Sequence, residues 1–316
     1  MTDRSSASDF AAPARGAPRY TLAAAGNLIE LGARPRLMGI VNASPDSFSD
    51  GGRYRTLEDR VQLAGRLLEE GADILDVGGE SASTGHPPTE AREEIERVVP
   101  LIERLTGELG AIVSVDTYKP AVARAAIAAG ASIVNDVSGL RDVELAKVCA
   151  ESGAALVLMH TRAAPKQRMQ DPDLYTDVTS DVLDFLRERM RLAIQAGVTH
   201  DQLILDPGPD FAKTPAQTIE LLIRVERLHE LQRPILMAIS RKDFIGALTG
   251  RPPRERLGGT LAALAHGVAS GAQIFRIHDI AAARDFLTVQ GALTGELGPS
   301  RDLALDEALR HDVGTA

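Results

Sequence analysis

The chain has 316 residues, 44% of them hydrophobic and 25% charged, which are the proportions of an ordinary soluble globular protein. A formal net charge of -9 argues against a nucleic-acid partner, which would favour a clustered basic face, yet leaves room for a local basic site for a small anion. The single cysteine, Cys149, excludes an internal disulfide and fits a reducing cytoplasm, and no run of about 20 apolar residues offers a membrane span.

Residues 1–19 are rich in Ala, Ser and Arg and lack the apolar core of a secretory signal. Asp3 and Asp9 weigh against a transit peptide, so a disordered tail is expected. Eight short apolar runs follow, each closing on polar or glycine-rich residues. The first, Leu37–Val41, leads to Asn42 and the loop NASPDSFSDGG, which is long for a strand-to-helix connection. A helix is expected over Thr56–Glu70, with Thr56 as N-cap and Gly71 just past its end. The second strand, Ala72–Val77, contains Asp76 and precedes GGESASTGHPP. The next helix begins at about Thr89, where Thr89, Glu90 and Arg92–Glu93 make a weak capping signature. Ile112–Val115 closes on Asp116, and Pro120 opens the following helix. Ser132–Asn135 and Ala155–Met159 are the fourth and fifth strands, the latter closing on His160. The polar stretch Thr161–Tyr175 precedes a helix that ends near Gly197. Leu203–Leu205 closes on Asp206, Pro234–Ile239 on Ser240–Arg241–Lys242, and Gln273–Ile277, which holds Arg276, on His278. A last helix spans Ala281–Thr294, and from about Leu297 a charged appendage without strand signal remains.

Strand-like runs alternating with helical periodicity predict parallel strands joined by crossover helices. Eight of them predict one α/β domain, a (β/α)8 TIM barrel over residues 20–296, flanked by tails 1–19 and 297–316. No dinucleotide glycine fingerprint follows the first strand, which favours a closed ring over an open sheet. Active sites of such barrels lie at the C-terminal strand ends, so the polar residue closing each run maps a catalytic face.

At that face, Ser240, Arg241 and Lys242 after the seventh strand and Arg276 and His278 on the eighth suit a multiply charged anion such as a pyrophosphate. The competing reading is that Arg241 or Arg276 only pairs with a neighbouring carboxylate. Asp116 and Asp206 are placed to accept paired hydrogen bonds from a guanidine-like N–H edge or to stabilise a developing cation; each could instead brace a loop. Asn135, a donor and an acceptor together, completes a heterocycle-reading edge with Asp116. The histidines and the cysteine show no zinc spacing. A magnesium ion held mainly by substrate phosphates needs only one or two protein oxygens, and Asn42 is the candidate, unless it serves its turn alone.

The stretches MGIVNASPDSFSDGG (38–52), DVGGES (76–81), SVDT (114–117), NDVSG (135–139), LMH (158–160), LDPG (205–208) with Phe211 and Lys213, SRKDFIG (240–246), GT (259–260) and RIHD (276–279) occur in an order that resembles the dihydropteroate synthase family of pterin-binding barrels. The resemblance covers about residues 37–295. It implies a transferase of folate biosynthesis that joins 6-hydroxymethyl-7,8-dihydropterin diphosphate to p-aminobenzoate and releases pyrophosphate. By the same resemblance Asp116, Asn135, Asp206 and Lys242 match the residues that hold the pterin, with Asp116, Asp206 and Lys242 expected to be catalytic. Asn42 matches a magnesium and pyrophosphate contact, Arg276 and His278 the pyrophosphate pair, and Ser240 and Phe211 positions beside the p-aminobenzoate pocket. It further implies a homodimer built through barrel helices, while composition gives no reason to expect a membrane or nucleic-acid partner and the cysteine usage fits a cytoplasmic protein. Departures from the family pattern fall at Ala82-Ser83-Thr84, where Thr and Arg are usual, in TRAAPKQRMQ after His160, and at Asp210 and Ala238, where glycines are common. Arg53, Arg92 and Arg162 are candidates to replace the missing cation. A pterin-binding paralogue with a different acceptor or little catalytic activity is the alternative reading.

Overall fold

Side-chain alternation with a period of two gives every strand an inner and an outer row, and in a barrel the two rows meet different surroundings. The computed structural model describes residues 18–44, 56–81, 87–306 and 309. Among them, β1 (Tyr20–Ala24) and β2 (Asn27–Leu31) form an antiparallel hairpin. Eight parallel strands follow: β3 (Arg36–Asn42), β4 (Ile74–Gly78), β5 (Val113–Asp116), β6 (Ile133–Asp136), β7 (Ala155–Met159), β8 (Leu203–Asp206), β9 (Leu236–Met237) and β10 (Ile274–Ile277). Their order is β8-β7-β6-β5-β4-β3-β10-β9, and a parallel bridge from Leu205 to Ile235 brings the two ends of the sheet together. The predicted single (β/α)8 barrel is therefore the observed architecture.

The crossover helices are α1 (Leu57–Glu69), α2 (Ala91–Leu109), α3 (Pro120–Ala128), α4 (Glu144–Ser152), α5 (Val178–Gln195), α6 (Pro215–Ile223), α7 (Asp243–Thr249) and α8 (Leu257–Ala269), and α9 (Ile280–Leu293) follows the last strand. Outer-row residues such as Leu37, Leu75, Val115, Leu158, Leu205 and Phe275 are fully buried against them. Thr56 caps α1 in a full capping box with Asp59, as its sequence predicts. At α2 the cap is Glu90 with no side-chain bond, and the Thr89 amide instead donates to Glu80 (3.3 Å), so the capping expected of Thr89 is not made. The seventh strand is shorter than Pro234–Ile239, because only two of its residues pair regularly with β10.

The hairpin is absent from the sequence reading. Its two-residue turn is Ala25-Gly26, both at positive φ (48° and 82°), whereas the usual signal for such a turn is Asn-Gly or Asp-Gly. Leu22, Ala24, Ile29 and Leu31 on its buried face pack against the inner-row residues Met38, Ile74, Ile133, Ala155, Ile204 and Ile274. These lie at or near the starts of their strands, so the hairpin closes the N-terminal end of the barrel. Two residues further along the same rows, Ile74, Ile133, Ile204 and Ile274 give way to Asp76, Asn135, Asp206 and Arg276. The inner row is thus apolar at the bottom and charged at the top, and the polar end is where the site lies. Beyond α9 the Leu297 amide donates to the Gly291 carbonyl (2.8 Å).

Candidate active site

Strand register brings the expected residues to one mouth. Asn42 pairs with Gly78, Gly78 with Asp116, and Asp116 with Asn135, so four adjacent strands stand level at the mouth. Arg276 reaches across from β10, its Nε donating to Asp76 (2.6 Å) and its Nη2 to Asp116 (3.0 Å). Asn135 donates from Nδ2 to the same Asp76 carboxylate at 3.2 Å. Asp76 is wholly buried, and its Oδ1 and the Asn135 Oδ1 have no hydrogen-bond partner among the described residues. Such orphaned buried acceptors are costly unless a ligand's donors answer them. Burial and then the Asp76 charge push the Asp116 carboxyl up to about 7, against the pull of Arg276. Burial works against the Arg276 guanidinium as well, but Asp76 and Asp116 outweigh it and keep the cation firmly charged.

Across the mouth, Asp206 ends β8 and accepts the Gly208 amide at 2.7 Å, while burial raises its carboxyl to about 6. Gly208 has φ +64°, and a Cβ there would strike the His160 carbonyl oxygen, so the turn that presents Asp206 requires glycine. Lys242, the N-cap of α7, lies with Nζ 4.5 Å from the centre of the Phe211 ring. Its pKa is lowered by burial, against the charges of Asp210 and Asp206. Asp210, where a glycine is common, has φ +66° and is one of the residues for which that conformation costs little. Its carboxylate accepts the Asp243 amide (2.6 Å) and the Phe244 amide (3.4 Å), fixing the start of α7 directly after Lys242. The replacement of glycine is thus accompanied by a helix cap.

Ser240 and His278 form a third group. The His278 backbone N–H donates to Ser240 Oγ (3.2 Å), and its Nδ1 lies 2.9 Å from the same oxygen. Burial, then Arg241, Arg276 and Lys242, lower the imidazole to about 3, so it is neutral at physiological pH and not a standing cation. Arg241 pairs with Asp279 at 2.7 Å, so of the two readings open for it the carboxylate pairing is the one found. Arg276 is also carboxylate-paired, but inside the mouth.

Behind these residues lies a chain that the sequence reading passed over. Lys213 is fully buried and donates to His160 Nδ1 (2.8 Å), Gly208 O (2.9 Å) and Phe211 O (3.1 Å). With Nδ1 accepting, His160 presents its Nε2–H to Asp181 at 3.0 Å. Burial and Lys213 lower His160 to about 3, and burial lowers Lys213 to about 7. Lys213 therefore ties together the two residues, Gly208 and Phe211, that shape the surroundings of Asp206 and Lys242. A second cluster anchors the loop after β4: Glu80 pairs with Lys119 and Lys166 and accepts from the Tyr118 hydroxyl (3.2 Å), and Lys166 also donates to the Ser81 carbonyl. Despite burial, Lys119 and then Lys166 hold the Glu80 carboxyl below its ordinary range. Ala82–His86 and Arg53 lie outside the described residues. Arg92 is exposed and paired with Glu96, and Arg162 with Asp181, so the cations that touch this loop among the described residues are Arg97 on Gly79 O, Lys119 on Glu80 and Lys166 on Glu80 and Ser81 O.

The period-two rows that continue from Ile74 could have flagged Asp76. Lys213, Glu80 and Lys166 sit in loops whose crossing no periodicity reveals. Among the described residues no group of three or more His, Cys, Asp or Glu side chains could hold a metal ion, and no helix is long and apolar enough to cross a membrane.

A ring of carboxylates, an amide, a lysine and an arginine at the top of this barrel coincides with the match of residues 38–278 to the family model for pterin-binding enzymes, and the chain belongs to that family. Its relatives there are dihydropteroate synthases. The enzyme of that name from Bacillus subtilis is 44% identical over 245 residues, 77% of this chain and 83% of the relative. The Xanthomonas albilineans dihydropteroate synthase with 4-aminobenzoic acid superposes with a TM-score of 0.80 at 45% identity, covering 88% of this chain and 98% of that one. The same enzyme in complex with 7,8-dihydropteroate gives 0.77 at 44% identity, over 88% and 99% of the two chains.

Proposed function

We propose the following division of labour for the dihydropteroate synthase reaction, the transfer that this chain carries out between 6-hydroxymethyl-7,8-dihydropterin diphosphate and p-aminobenzoate. The observation that supports it most is the pair of buried, unanswered acceptors on Asp76 and Asn135 beside Asp116 and Asp206. A dihydropterin presents a row of N–H donors and ring acceptors, which that set of carboxylates and amide complements. Lys242, held over Phe211, donates to a ring acceptor, and Asp116, Asp206 and Lys242 form the catalytic group.

Arg276 and the neutral His278 receive the diphosphate. As the C–O bond to the pterin methylene breaks, its electron pair leaves with pyrophosphate, and these donors stabilise the growing negative charge. The carboxylates face the methylene cation left behind. The aniline nitrogen of p-aminobenzoate, seated beside Ser240 and Phe211, then forms the C–N bond and gives its proton to solvent. With Asn42 level with Gly78 at the mouth, and with no larger ligand group among the described residues, a magnesium ion would be held by the Asn42 amide oxygen and chiefly by phosphate oxygens. When bound it would neutralise charge on the leaving group.

The protein is proposed to be cytoplasmic, and a homodimer through the α6–α8 side of the barrel, where Ile223, Leu248 and Leu257 are exposed. The deciding experiment is pyrophosphate release from the dihydropterin diphosphate with magnesium, with and without p-aminobenzoate. Release that requires p-aminobenzoate and yields dihydropteroate supports these assignments. Release without incorporation, or binding without turnover, would overturn the acceptor.

A further inference from the structure

Outside the barrel mouth, a cavity of about 190 Å³ opens between the loops after β6 and β7 and the face of α5. Ser138, Gly139, Arg141, Thr161, Arg162, Phe185 and Arg189 line it. That is several times the roughly 30 Å³ share of one water molecule. Three guanidiniums and two hydroxyls therefore face one small space.

The cations are not equally engaged. Arg162 is fixed on Asp181, its Nε donating at 3.1 Å. Arg141 donates from Nη2 to the Arg162 carbonyl (3.2 Å), which holds it at the rim, and Arg189 stacks its guanidinium 4.6 Å from the Phe185 ring. Neither Arg141 nor Arg189 pairs with a carboxylate among the described residues, and the buried Arg189 Nε has no hydrogen-bond partner there. The carboxylates nearby are committed elsewhere: Asp136 to the Ser138 and Leu140 amides, Glu188 to Arg191, Asp142 to the Glu144 amide. The charge on Arg189 is opposed by burial and by both neighbouring arginines, and helped by Glu188 and Asp136, with a net lowering of its pKa. Like charges gathered in a pocket repel unless an anion joins them.

We propose that this pocket is an oxyanion site for a phosphate group, separate from the barrel mouth, with Arg141 and Arg189 as its principal ligands and the Ser138 and Thr161 hydroxyls completing the set. Guanidinium forks bind phosphate oxygens bidentately, and a tetrahedral dianion can use more of these donors than a planar carboxylate can. The cavity's size restricts the occupant to a free phosphate or the phosphoryl end of a small metabolite.

The test is calorimetric titration of the full-length protein with inorganic phosphate and, in parallel, with phenyl phosphate; tighter binding of one or the other distinguishes the free ion from a phosphate ester. Arg141→Glu, at an exposed position that folding tolerates, and Arg189→Gln should each weaken the preferred probe about tenfold or more, the loss expected for one charge-assisted hydrogen bond. Melting temperature and turnover in phosphate-free buffer should stay as in the parent. Arg276→Met, which removes the charged anion ligand of the mouth, should leave this affinity unchanged. Binding that survives both pocket-arginine substitutions, or that disappears in Arg276→Met alone, would overturn the site.

Discussion

Replacing Lys213 with methionine isolates the buried chain behind the pterin pocket. The methionine keeps the length and removes three donated hydrogen bonds, to His160 Nδ1, Gly208 O and Phe211 O. Gly208 O retains the Phe211 amide at 3.1 Å, so two acceptors, on His160 and Phe211, are left unanswered. Each costs about 1–3 kcal/mol, and relief of the buried charge returns part of that, which leaves a net loss of about 1–4 kcal/mol. His160 cannot recover by moving its proton to Nδ1, because Nε2 would then face Asp181 as acceptor to acceptor. The lysine also gives the loss a pH dependence. Its folded pKa of about 7 lies below its ordinary value of 10.5, so the native state binds fewer protons than the unfolded chain between those values. Stability from this group rises with pH across that window and is lost as pH falls toward 7. The deficit of Lys213→Met should therefore widen from pH 7 to pH 10, even though the neutral amine keeps only two of the three bonds that the ammonium donates. Urea denaturation at both pH values measures it, with an unchanged m-value marking a true stability effect. A loss under about 1 kcal/mol, or a deficit that narrows with rising pH, would refute the assigned hydrogen bonds and their charge state.

Arg276→Met should weaken dihydropterin diphosphate about a hundredfold and the bare dihydropterin much less, because only the former brings the charge; calorimetry with both ligands decides, and equal losses would count against the role. At Asp210, alanine should destabilise by about 1 kcal/mol more than glycine, since both lose the α7 cap but only alanine retains the strain of φ +66°; paired thermal melts compare them. The raised carboxyl of Asp206, about 6 against 3.8, loses its charge as pH falls through 6, so the KM for dihydropterin diphosphate should climb below pH 6, and Asp206→Asn should flatten that part of the profile.

The barrel was legible because its strands alternate between an apolar inner row and helix-facing residues, and because each run ends abruptly on polar residues. Position in the row also explains why Asp116, Asn135, Asp206 and Arg276 converge: they share the inner row, and parallel register sets their heights. Partners were less legible. Arg276 reads in the sequence as an anion ligand or as the partner of some carboxylate, but which carboxylates is not legible, because its contacts with Asp76 and Asp116 join residues 200 and 160 positions apart. The hairpin was hidden by small residues, since Ala24 and Ala25-Gly26 carry neither strong strand preference nor the usual turn signature. Lys213 looked like one motif residue among several. Its burial follows from a turn in which Gly208 passes against the His160 carbonyl, a close approach that no residue pattern announces.

The pairing of Arg276 bears on how a charged substrate can enter a site that already contains three carboxylates. If Arg276 stood unpaired, Asp76 and Asp116 would face each other uncompensated, and one would have to take up a proton. With the arginine between them, Asp76 and Asp116 share one fixed cation before any ligand arrives, although burial and Asp76 still hold the Asp116 carboxyl up at about 7. On the proposed roles, the diphosphate draws Arg276 toward its oxygens while the pterin N–H groups take the places of the guanidinium on the carboxylates. Binding is then an exchange of partners, in which no buried charge is left alone at any stage and the desolvation cost has been met by the fold. The same exchange ties the two ends of the substrate together. A pterin without diphosphate leaves Arg276 competing for Asp76 and Asp116, whereas the diphosphate ester removes the competitor as it binds.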